Sequence, residues 1–85
     1  MSQALQIAQR ALAVLEQQKL DLDRAHEAKK REIVAAGQNV SGLTMIKLLQ
    51  DMNTEIARYE QDRQTLNEKI YYARTNVEII ANQGK

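Results

Sequence analysis

The chain contains no cysteine, no proline, no phenylalanine and no tryptophan, and has only three glycines among its 85 residues. Without cysteine there is no disulfide, no thiolate nucleophile and no zinc–thiolate site. Without proline, nothing of that kind breaks a helix from within. An excess of one charge is missing too. Twelve basic residues against eleven acidic ones leave a formal net charge of +1, so no global field draws in nucleic acid or anionic lipid. No segment approaches the ~18 consecutive apolar residues of a membrane span. The opening MSQALQIAQRALAVLEQQKL lacks a basic leader and a continuous apolar run, because Gln6, Gln9 and Arg10 interrupt it. The residues that dominate instead, Ala, Leu, Gln, Glu, Lys and Arg, lose little freedom in a helix. The expectation is a soluble, cytoplasmic, all-α chain forming one domain over residues 1–85.

Apolar spacing then divides the chain. From Met45 the positions Leu49, Met52, Ile56, Tyr59, Arg63, Leu66, Ile70, Ala73, Val77 and Ile80 alternate steps of four and three. A heptad sustained this far predicts a coiled-coil seam. The first half repeats the spacing through Leu5, Ala8, Leu12, Leu15, Lys19, Leu22, His26, Lys29, Ile33 and Ala36. Folding the chain at about residue 41 sets Ile33 against Leu49, Leu22 against Tyr59, Leu15 against Leu66 and Leu5 against Val77. The pattern predicts an antiparallel two-helix coiled-coil hairpin, with helix 1 over about residues 3–36 and helix 2 over about 45–82. At ~1.5 Å per residue its length is about 50–55 Å.

The stretch between the helices, GQNVSG, carries two of the glycines. It lacks the Lys-Ser/Thr ending and the preceding strand of a phosphate-binding loop, and reads as a bend over 37–44. Gly37 is placed for a left-handed helix C-cap, Asn39 for a turn, and Ser41 or Thr44 for capping helix 2 through a hydroxyl.

The middle of this rod is polar. Lys19 falls opposite Arg63, flanked by Glu16, Asp23 and Glu60 at helical spacing, while His26 and Lys29 face Ile56 and Met52. Polar seam residues cost stability and specify register, so the middle is expected to be the looser part. The open end is the opposite case. Ile7 and Val14 in helix 1, and Tyr71, Tyr72 and Ile79 in helix 2, lie off the seam, where one hairpin cannot bury them. Apolar residues in excess of a seam call for a further surface. They mark a protein-binding site and a four-helix bundle, formed by homodimerisation or by docking on a partner. The bend offers only Val40 and Leu43.

No catalytic, cofactor-binding or metal-binding residue is assigned. The single histidine, His26, has no cysteine, second histidine or serine at helical reach and falls short of the three or four ligands of a zinc site; it reads as a polar seam residue beside solvent. A narrow rod offers no concavity for a small-molecule substrate. Arg24, Lys29, Lys30 and Arg31 form a basic stretch, but Glu27 and Glu32 interleave with it, and Tyr59 sits on the seam rather than free to stack a base. That disfavours nucleic acid, and the apolar face is already committed, which disfavours a membrane surface.

The stretch AAGQNVSGLTMIKLLQDMNTEIARYEQ, with Val40, Ser41, Met45, Leu48, Met52 and Ile56, resembles the FliJ-type soluble stalk proteins of flagellar and type III secretion export. ALQIAQRALAVLEQQ at the start is compatible with them. LNEKIYYARTN is similar to the small helical chaperones of type III needle subunits. Either resemblance implies a non-catalytic adaptor or chaperone that docks helices onto an export ATPase, a gate protein or an export substrate. LEQQ (15–18) and EIARYE (55–60) also resemble the effector-associated helical modules of bacterial defence proteins, which implies a homotypic assembly module. A small RNA-binding helical dimer is the third and weakest alternative.

Overall fold

The computed structural model describes residues 2–83. Two long helices, α1 (Gln3–Ala36) and α2 (Leu43–Gln83), pack antiparallel as an extended hairpin of 65 × 16 × 12 Å. The rod is longer than the spacing implied because α2 runs for 41 residues and begins two residues before Met45. Ser2 starts α1, its hydroxyl accepting the Leu5 amide at 3.4 Å, which satisfies one of the donors that a helix N-terminus leaves open.

The bend is built differently from the expectation. Gly37 keeps a right-handed conformation (φ −85°) and closes α1 through its amide, 3.1 Å from the carbonyls of Ile33 and Val34. The left-handed residue is Gly42 (φ 64°), immediately before α2; a side chain there would carry backbone strain that glycine avoids. Neither Ser41 nor Thr44 caps α2 through its hydroxyl among the described residues. The first bond of the helix runs from the Ile46 amide to the Gly42 carbonyl at 3.2 Å. Backbone geometry at Gly42 replaces a side-chain cap.

The inward residues of α2 are Met45, Leu48, Met52, Glu55, Tyr59, Arg63, Leu66, Ile70, Ala73, Val77 and Ile80. From Tyr59 to the open end this is the expected seam. Toward the bend it is not: Leu48 and Glu55 turn inward, while Leu49 and Ile56 are exposed. Around the change, Met52, Glu55, Tyr59, Arg63 and Leu66 are separated by steps of three, four, four and three. That is a stutter, which locally unwinds a coiled coil. In α1 Lys30, and just past its end Gly37, lean inward where Lys29 and Ala36 were expected, and both of those are exposed.

Little is fully buried. Ala8, Ile33 and Ile70 are the buried apolar residues among those described, joined by two polar ones, His26 and Glu55. Most seam residues are only half covered, as expected for two helices with no third layer.

Candidate protein-docking surface

The stutter gathers polar side chains from both helices at mid-rod. His26 stacks on Tyr59 with ring centroids 3.7 Å apart and planes 7° from parallel. Tyr59, expected opposite Leu22, is thus held one turn further along α1. Its hydroxyl donates to Asp23 at 2.6 Å. That hydrogen bond, then burial, raises the Tyr59 pKa above the ordinary tyrosine range. Nδ1 of His26 lies 3.5 Å from the Glu55 carboxylate, which is also paired with Arg58 at 2.5 Å. Arg63 meets Asp23 across the seam at 3.6 Å, and Arg74 meets Glu16 at 3.7 Å. The middle is therefore a cross-helix network with two of the five buried side chains, and His26 sits in the core rather than beside solvent. Glu55 could have been suspected only by asking which residue answers His26; its charge argues against the seam, and Ile56 beside it attracts the pattern.

Arg63 is answered by Asp23, not by Glu60, and Lys19 has no ion pair among the described residues. Lys19→Leu is expected to raise stability by about 1 kcal/mol through added apolar cover. Adding Arg63→Leu should give no further gain, because the lost Asp23 pair offsets the packing; this half-exposed pair contributes about 0.2–1 kcal/mol. Thermal melts of the single and double variants check this, and additive gains in the double would contradict it.

At the open end, Ile7, Val14, Tyr71, Tyr72 and Ile79 are all exposed, Tyr72 by 71%. The ion pairs at mid-rod fix the levels of the helices, and by continuation Val14 lies level with Tyr72, and Ile7 with Ile79. Their side follows from heptad spacing. Gln18, Asp21 and Leu22 line one groove together with Asp62, Thr65 and Leu66. Val14 and Ile7 lie one and two heptads from Asp21; Tyr72 and Ile79 lie one and two heptads from Thr65. These four therefore continue a single flank of the rod. Tyr71 belongs to the other flank, where it lines a groove with Leu20 and Arg74. The two tyrosine rings still meet edge to face at 5.6 Å, which braces Tyr72.

Exposed apolar residues are not confined to this end. Val34, Leu43, Ile46, Leu49 and Ile56 are exposed near the bend, Leu43 by 84%. Ile33, Val34, Leu48, Leu49 and Met52 help line an almost wholly apolar groove of about 310 Å³ there. A straight heptad hides this surface, because it turns Leu49 and Ile56 inward.

The basic stretch is partly neutralised. Lys30 pairs with Glu27 at 2.9 Å and Lys29 with Glu32 at 3.9 Å. The hydrogen bond and charge of Lys30 hold the Glu27 carboxyl below the usual carboxylate range. Among the described residues no cluster of three or more His, Cys, Asp or Glu is arranged to hold a metal ion. No helix among them is long and apolar enough to cross a membrane. No family model, curated protein or solved structure matches the chain.

Proposed function

We propose that this chain is a non-catalytic adaptor or chaperone that works by docking helices against the open-end flank carrying Ile7, Val14, Tyr72 and Ile79. The observation behind this reading is the ratio of exposed to buried apolar surface. Among the described residues three apolar ones are buried, whereas eleven large ones are exposed. A small scaffold with so thin a core supplies little stability alone, and an apolar flank of this kind is the feature that marks an interaction site. Tyr72 suits the role of anchor, braced edge to face by Tyr71, since tyrosine offers a large rigid contact and a hydroxyl that stays wet. The resemblance of Val40, Ser41, Met45, Leu48, Met52 and Ile56 to FliJ-type stalk proteins, and of LNEKIYYARTN to needle-subunit chaperones, suggests flagellar or type III export as the setting.

The test is Val14→Glu combined with Tyr72→Glu, read by light scattering and by capture of purified export ATPase or needle-type substrate. Charge placed in a desolvated contact should abolish association while the circular dichroism of the hairpin persists. Retained mass and retained capture, with both lost on Val34→Glu and Leu49→Glu, would move the docking site to the bend.

A further inference from the structure

We infer that the open-end flank is covered by a second copy of this chain, laid alongside with its bend at the same end, so that α1 of each copy packs on α2 of the other. This rests on the reading that the rod works by helix docking, and it adds the occupant and its orientation.

Charge points to a second copy. Once the ion pairs among the described residues are assigned, the remaining charges of those residues sort by helix. On α1, Arg10, Lys19, Arg24 and Arg31 have no ion pair, against Asp21 alone. On α2, Glu60, Asp62, Glu68 and Glu78 have none, against Lys69 alone. The chain is nearly neutral as a whole, so this separation is invisible in its composition. Lys19, Glu60 and Glu68 line grooves that include Tyr71, so the unpaired charge that bears on the docking flank is Asp62 on α2, with Asp21 and the neighbouring Arg24 on α1.

Position points the same way. Asp21 and Asp62 share a groove on the docking flank whose other lining residues, Gln18, Leu22, Thr65 and Leu66, are uncharged. Arg24 is exposed one turn from Asp21, at the level of Asp62. A twofold axis parallel to the rod keeps every level unchanged and sets α1 against α2 of the second copy. Arg24 then reaches the copy's Asp62, while Ile7 and Val14 meet its Ile79 and Tyr72. All neighbouring helices run antiparallel, as in an up-down four-helix bundle. An axis perpendicular to the rod does the opposite: it lays α1 on α1, brings the arginines together and sets the apolar open end over the bend of the other copy. Charge and apolar matching select the same arrangement, and it is isologous and closed.

The test uses charge exchange in the full chain. Arg24→Glu alone places carboxylates together at both contacts of the homodimer, and Asp62→Arg alone places cations together. Each variant should shift toward monomer by light scattering at least tenfold in concentration relative to the parent. Mixed one to one, they should reassociate as a heterodimer, because both contacts are then opposite in sign. Spin labels on Asn39→Cys in the parent should lie about 20–30 Å apart, since both bends sit across one bundle with helix axes about 8–10 Å apart. A monomeric parent, a label separation near the 65 Å length of the rod, or failure of the mixed variants to reassociate would overturn the inference. A monomeric parent whose capture of export helices is still lost with Val14→Glu and Tyr72→Glu would overturn the second copy and leave helix docking standing.

Discussion

Ile70→Ala is expected to remove the cooperative unfolding transition of the hairpin. Ile70 is 4% exposed and is one of three buried apolar residues among those described. Removing its outer methyl and methylene groups costs their transfer from water plus the cavity left behind, about 2–5 kcal/mol for Ile to Ala. A core of this size contributes roughly 3–5 kcal/mol, so the loss is comparable to the whole. Circular dichroism against temperature should show a shallow, uncooperative decline in place of a transition. The matching control is Ile56→Ala. The straight heptad makes Ile56 a seam residue, and its loss would then be as damaging as that of Ile70. With the stutter it is exposed, and the change should stay within about 0.5 kcal/mol. Equal damage from the two substitutions would restore the straight seam and contradict the fold described above.

His26→Ala is expected to cost about 1–3 kcal/mol, the range for leaving a buried polar partner unsatisfied. Glu55 would keep only Arg58, whose guanidinium extends into solvent, and Tyr59 would lose the ring stacked on it at 3.7 Å. Replacing both partners should behave differently. In His26→Leu with Glu55→Leu no buried charge is left alone, and well-packed apolar residues commonly equal or exceed a buried polar pair. The double variant should therefore melt at or above the parent, although either single change lowers the melt. Urea unfolding of the four proteins in the cycle measures this coupling. Purely additive losses would mean that His26 and Glu55 act independently and that the 3.5 Å contact between them does not stabilise the rod.

Much of the fold could be read from the spacing. The span of α1, the antiparallel packing and the seam from Tyr59 to Ile80 follow from heptads, because near the open end the apolar letters and the buried positions coincide. They part company at Leu49 and Ile56. There a seam of hydrophobic letters is less favourable than one that admits Glu55, since Glu55 finds His26 and Arg58 while Tyr59 finds Asp23 and His26. Single-strand periodicity carries no information about such cross-helix partners. The same slip hid the bend groove. It also hid the cross-helix partners of the polar middle, His26 with Glu55 and Tyr59 with Asp23. The glycine assignment failed for a local reason: either glycine could have taken the left-handed position, and only the start of α2 at Leu43 selects Gly42. Exposure of Ile7, Val14, Tyr71, Tyr72 and Ile79 was legible because they fall outside any two-helix seam. The sorting of leftover charge between α1 and α2 was not, since it emerges only after each ion pair is assigned.

The central claim is that a hairpin with so little core is only marginally stable alone and is further stabilised by what covers its flank, and that a second copy provides that cover. Thermal melting over a thousandfold range of protein concentration tests it most directly, because association stabilises by mass action. The midpoint is expected to climb steadily with concentration in the parent, and to lose that dependence in Val14→Glu with Tyr72→Glu. A parent midpoint that is high and unchanged across the range would show a hairpin stable by itself, and would contradict the account.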